Sequence, residues 1–135
     1  MSLFPAIGIS GTGVTVSRKW LDAISDNLSN INDAAPTSGD AYRAKFVIAR
    51  AVNYGDGTGG VEVGGIAEGS PVGRLVYEPA NPQADVEGYV RYPDIDLADQ
   101  MGQLIMAQRS YQSNLAVIDR ARDSYQAAIQ LGKST

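Results

Sequence analysis

Apolar side chains recur along the last third of the chain in alternating steps of four and three, at Leu97, Met101, Leu104, Gln108, Tyr111, Leu115, Ile118, Arg122, Tyr125 and Ile129. Such spacing keeps one stripe in line on a helix for five heptads. The start carries a helix N-terminus signature, with Asp96 placed as N-cap, Asp99 three residues on and Pro93 just outside. The pattern predicts a helix from Leu97 to about Leu131, stopped by Gly132. At ~1.5 Å per residue it is a rod of roughly 50 Å, far longer than an ordinary globular helix.

The N-terminal segment repeats the pattern more weakly. Val14, Leu21 and Leu28 lie seven apart, with Ser17, Ile24 and Ile31 interleaved three residues after each. A helix from about Thr12 to Ile31 is expected, ~30 Å long by the same rise, so folding it along the C-terminal helix leaves roughly 20 Å of stripe uncovered. The flanks of the longer stripe are Ile105, Gln112, Asp119 and Gln126 on one side and Ala107, Asn114, Ala121 and Ala128 on the other. Small residues there let helices approach closely and favour packing among several helices over a two-stranded zipper. An intramolecular helical hairpin is the simpler alternative. Gln108 and Arg122 interrupt the apolar stripe and read as register markers that need a polar partner, unless rotation carries them to the rim.

Between the helices the chain changes character. Eight glycines fall between Gly55 and Gly73, and Pro71, Pro79, Pro82 and Pro93 accompany or follow them. That density excludes a long helix and suits short strands joined by turns. Strands are expected over 45–52, 61–66 and 72–77. With few large apolar side chains, this part has to lean on the helices or on neighbouring molecules. The predicted fold class is α+β: long N- and C-terminal helices packed as a coiled-coil-like shaft, with a small β-rich central module. The chain divides into 1–32, 33–93 and 94–135.

Composition narrows the function. The 135 residues suffice for one folded unit, and 44% hydrophobic against 19% charged residues supports a packed core. The net charge is −4, with three of the four negative charges in the central part, and this argues against a nucleic-acid partner. Without Cys or His there are no disulfides, no thiolate nucleophile or Cys-ligated metal, and no imidazole for proton transfer. The opening MSLFPAIGISGTG lacks a charged start followed by a long apolar run, so no secretory signal is expected. No membrane-spanning segment is expected either, since no stretch reaches about 18 apolar residues.

Three features resemble chemical sites and are explained without one. The run GDGTGG at 55–60 lacks the Lys-Ser/Thr of a phosphate loop and reads as a hairpin turn. Gly8, Gly11 and Gly13 precede the first helix, but no strand leads into them. Asp94, Asp96 and Asp99 cap a helix rather than form an EF-hand, whose Gly and distal Glu are absent. Catalytic, cofactor-binding and metal-ligating residues are therefore all expected to be none, and no cofactor is expected.

The run NPQADVEGYVRYPDIDL at 81–97, followed by Met101 and AQRSYQSN at 107–114, resembles the bacterial flagellar basal-body rod proteins. Ser10-Gly11 and WLDAISDNLSNIN at 20–32 are similar to that family's N-terminal helix motif. The two motifs span about half the chain in the family's order. The connector Asp33–Tyr42 departs from the usual Asn-Thr-Gly-Tyr stretch. The resemblance implies a non-enzymatic subunit whose terminal helices polymerise into an axial shaft, with an N-terminal region that orders on assembly. It also implies export through the flagellar type III apparatus without signal cleavage, and a place in the basal-body rod, in the periplasm or cell-wall space. Implied partners are copies of itself, other rod subunits, and export and basal-body ring components. The expected assembly interface is Val14, Leu21, Ile24, Leu28, Leu97, Met101, Leu104, Gln108, Tyr111, Leu115, Ile118, Arg122, Tyr125 and Ile129. The competing expectation is a secreted module whose central β part, through Tyr42, Tyr54, Tyr77, Tyr89 and Tyr92, contacts a cell-wall ligand.

Overall fold

The computed structural model describes residues 3–55 and 58–133. Helix α1 spans Leu3–Ser29, strands β1 (Lys45–Asn53), β2 (Gly59–Glu68), β3 (Arg74–Tyr77) and β4 (Tyr89–Tyr92) follow, and helix α2 spans Leu97–Lys133. The α+β class holds, with long helices at both ends and two small sheets between them.

Helix α1 begins nine residues before the expected Thr12 and ends at Ser29 rather than Ile31. Pro5 sits in its first turn, where a missing N–H costs nothing. Gly8, Gly11 and Gly13 are inside the helix, not before it. Their low propensity is overridden because α1 packs against α2 along its length. The helices form an antiparallel hairpin: Asn27 meets Gln100, Ser17 meets Ser110, and the Phe4 ring lies edge-on to Tyr125 at 5.7 Å. The cap prediction is met, since the Asp96 carboxylate accepts the Asp99 N–H at 2.8 Å. Gly132 does not stop α2, because its φ is not positive and the helix continues through Lys133. With 27 residues against 37, α2 exceeds α1 by about 15 Å, less than the expected 20 Å. The excess is the C-terminal end, exposed from Arg122 to Lys133.

Strands β1 and β2 pair antiparallel with a register shift between Ile48 and Ala49. Their connecting loop, the run read as a turn, includes residues 56–57, which lie outside the described residues. Strands β3 and β4 form a second antiparallel pair. The third strand starts at Arg74 instead of Val72, because the chain turns at Gly73 with φ +60°. Strand β4 was not expected: its four residues between Gly88 and Pro93 are too short to show a period. The second hairpin rests on the connector after α1 through an Ala35–Arg91 bridge, and its Val90 is fully buried. Arg91 holds the connector further, its guanidinium donating to the carbonyls of Val72 and Thr37, both at 2.8 Å.

The result is a layered body. Helix α1 is the middle layer, with α2 on one side and the β1–β2 sheet on the other. No strand packs directly on α2 among the described residues.

Candidate assembly interface

The contact between the helices is made mostly of small and polar groups around one large apolar side chain, Ile24. Ile24 is 1% exposed and Ala107 0%, and the flanking buried positions are Ser10, Ser17, Asn27, Gln100 and Ala121. The Ser17 and Ser110 hydroxyls are hydrogen-bonded at 2.9 Å. A Cβ on Gly13 would stand 2.7 Å from the Asn114 side chain, so any larger residue there would have to displace that amide. The face of α2 turned to α1 is therefore the alanine flank, Gln100, Ala107, Asn114 and Ala121, and not the centre of the apolar stripe.

Asn27 is the junction of three elements. Its Oδ1 accepts the Lys45 N–H at 2.7 Å, and its Nδ2 donates to the Lys45 carbonyl at 2.9 Å and to Gln100 Oε1 at 3.1 Å. The Tyr42 hydroxyl also reaches Asn27 Oδ1, at 3.4 Å. Burial pushes the Tyr42 phenol above its ordinary pKa, with Lys45 and Asp26 acting in opposite senses. Lys45 Nζ lies 2.8 Å from the Asp26 carboxylate, and that bond raises the lysine above its usual range. Further along α1, Thr12 Oγ1 accepts the Val61 N–H at 3.1 Å, beneath Gly60, where a Cβ would meet Thr12 at 2.7 Å. A largely apolar groove of about 610 Å³ lies among α1, α2 and β2, with Trp20, Val16 and Val61 in its wall.

The expected interface residues fall into three sets. Ile24 is buried inside the hairpin. Val14, Leu21, Leu28, Leu104, Tyr111, Leu115 and Ile118 are half-buried along its edges. Leu97, Met101, Gln108, Arg122, Tyr125 and Ile129 are exposed, Leu97 at 56% and Met101 at 45%. Arg122 is occupied by surface ion pairs with Asp119 at 3.6 Å and Asp123 at 3.4 Å. In this structure the apolar stripe is thus divided, one edge served by α1 and the other open. Ile105, by its spacing a flank of the stripe, continues the exposed row from Leu97 and Met101. Gln100 and Asn114 complete the inner row, and the seven-residue spacing of Ala107, Asn114 and Ala121 is the sequence signal for where a partner helix approaches most closely.

The tyrosines of the central part do not gather into one surface. Tyr77 and Tyr89 stack edge to face at 5.3 Å, Tyr92 donates to the Glu78 carboxylate, and Tyr42 serves the Asn27 junction. Among the described residues no group of three or more His, Cys, Asp and Glu is placed to hold a metal ion. No helix among them is long and apolar enough to cross a membrane.

Known proteins resemble this chain's sequence over nearly its whole length. Residues 86–131 match the family described as "Flagellar basal body rod FlgEFG protein C-terminal". Over 135 aligned residues the chain is 36% identical to the flagellar basal-body rod protein FlgC of Escherichia coli O6:H1, covering 98% of this chain and 100% of the relative. The chain belongs to the FlgC family of flagellar basal-body rod proteins. The FlgC proteins of Salmonella typhimurium, 34% identical over 134 residues, and Bacillus subtilis, 29% over 150, align with 98% of this chain and with their own full lengths. As a FlgC-family member the chain is a structural subunit of the basal-body rod, and the ligand-binding alternative finds no support. The flagellar motifs that carried the resemblance at 81–97 and 107–114 fall mostly within the matched C-terminal family segment.

Proposed function

We propose that this rod subunit builds part of the axial drive shaft by polymerising through its terminal helices with copies of itself and with other rod subunits. Its parts act as segments 1–32 and 94–135, which form the shaft, and 33–93, which packs outside it. Torque passes through packed helices, without catalysis or cofactor. The subunit leaves the cell through the flagellar type III route without signal cleavage and occupies the periplasmic or cell-wall section of the basal body. There it meets export and ring components at its inner end. The assembly interface is the open edge of the stripe, Leu97, Met101, Gln108, Arg122, Tyr125 and Ile129, with Val14, Leu21, Leu28, Leu104, Tyr111, Leu115 and Ile118 as the half-buried margin and Ile24 as the internal anchor.

One observation carries the reading: apart from Ile24, the in-chain helix contact is lined with serine, asparagine, glutamine and alanine, whereas Leu97, Met101, Ile105 and Ile129 of α2 are exposed. Burying such side chains is worth roughly 1.5–3 kcal/mol each, so contact with neighbouring subunits strongly favours the covered state. The test is complementation of a deletion strain. Met101→Asp and Leu115→Asp are expected to abolish swimming while the subunit is still secreted. Normal swimming by both variants would defeat the proposal.

A further inference from the structure

The helix hairpin holds one register along its contact. Gly13 lies against Asn114, Ser17 is bonded to Ser110 and Asn27 to Gln100, so positions on α1 rise as those on α2 fall, step for step. Most of that contact would accept another register. A shift of seven residues keeps the same faces together. Sliding α2 by that amount sets Gly13 against Ala121 and Ser17 against Val117, side chains of small or medium size without charge. Asn27 is the exception. The shift sets it against Ala107, which offers its Nδ2 no acceptor, and carries Gln100 past Ser29, the end of α1. The opposite shift sets Asn27 against Pro93, outside α2. Asn27 is 1% and Gln100 3% exposed, so water does not replace the lost bond. Gln108 and Arg122, which the sequence pattern marks for the register role, are both exposed.

We propose that the buried Asn27–Gln100 pair is the specificity determinant of helix pairing: it lets α1 close on an α2 in this one register and rejects an α2 presented a heptad out of step. A polar pair suits that task. Apolar residues there would bury equally well in several registers, whereas an unmatched amide penalises every register but one. The need for such selectivity rests on the rod-subunit reading. Copies packed side by side in a shaft bring equivalent α2 helices, each at its own axial offset, within reach of a single α1, and the small-residue contact alone does not tell them apart. Asn27 is held from its other side, with Oδ1 and Nδ2 both engaged by the Lys45 backbone, so its amide does not swing to a new partner. Gln100 is therefore the member to change without disturbing β1.

The chain contains no cysteine, so introduced thiols report the register. In the purified full chain, Ser17→Cys with Ser110→Cys is expected to close an in-chain disulfide on oxidation, since the two hydroxyls stand 2.9 Å apart. Ser10→Cys with Ser124→Cys reports the shifted register. In the native hairpin these positions are about 10 Å out of line at ~1.5 Å per residue, beyond disulfide reach, and a seven-residue shift brings them opposite each other. Gln100→Leu is expected to raise this second crosslink, within or between chains, at least about tenfold at equal helix content, because Asn27 then lacks its acceptor in either register. Val90→Ala, which opens a cavity in the second hairpin away from both helices, should not raise it. Gln100→Met repeats the test with an unbranched side chain. An unchanged second crosslink in both Gln100 variants, an equal rise with Val90→Ala, no disulfide between positions 17 and 110, or loss of the fold in both Gln100 variants would each overturn the proposal. Swimming keeps the two readings apart: an unaltered chain that does not restore motility to a deletion strain defeats the rod reading and leaves the crosslinking result standing.

Discussion

Asn27 shows how one side chain joins three elements at once, because replacing it strands the Lys45 N–H and carbonyl and the Gln100 amide together. Leaving buried partners unsatisfied costs about 1–3 kcal/mol for each group, so Asn27→Ala is expected to lower stability by about 2–4 kcal/mol in urea unfolding. Asp85 organises a different site. Its carboxylate accepts the backbone N–H of Tyr89 and Glu87 and the Thr37 hydroxyl, and these bonds, the one from Tyr89 foremost, hold its pKa below the ordinary value while burial opposes them. A group depressed on folding stabilises the fold above its unfolded pKa and loses that contribution as pH falls through the folded one. The loop joining β3 to β4 is therefore expected to loosen below about pH 4, seen as loss of near-ultraviolet dichroism from the stacked Tyr77 and Tyr89. In Asp85→Asn that acid-induced change should be absent; an unchanged acid transition would assign it elsewhere. Neither Asn27 nor Asp85 was identifiable as a junction from sequence, since the partners of Asn27 lie 18 and 73 positions away and Thr37 lies 48 from Asp85.

Helix α2 was legible almost to the residue because its apolar period, its Asp96 cap and its length all point the same way. Helix α1 was legible only from Thr12 onward. Its first ten residues include Pro5, Gly8 and Gly11, which local propensity reads as a loop and packing on α2 overrides. The same register predicts what the ends of α2 do. Tyr125 lies against Phe4 of α1, and 126–133 are exposed. Truncation after Tyr125 is expected to leave the thermal midpoint of the isolated subunit within a few degrees of the full chain, since surface changes usually stay within about 0.5 kcal/mol. A large loss of midpoint would show that the overhang contributes to the fold. Conversely, Gly13→Ala is expected to destabilise by roughly 1–3 kcal/mol, because its methyl group meets Asn114, and Asn114→Gly in the same chain should restore part of the loss.

At the scale of the whole molecule, subunits in dilute solution should sediment as monomers, and limited proteolysis is expected to trim the exposed end of α2 beyond Arg122 before it cuts within α1. First cuts within α1 would instead show that the middle layer is loosely held in the isolated subunit. The repeat of apolar residues by itself determined that two long terminal helices exist, that α2 carries more greasy surface than a charged zipper would, and that the middle is β and turn, because periods of 3.5 and 2 and the placement of Gly and Pro are local properties of the chain. Tertiary structure decided the rest. Which face of α2 meets α1 follows from where backbones can approach, at Gly13, Ala107 and Ala121, and not from where the largest apolar residues stand. That choice turned Leu97, Met101 and Ile105 outward and set the β1–β2 sheet on the far side of α1. No local pattern records it, because it depends on close approach between residues nearly a hundred positions apart.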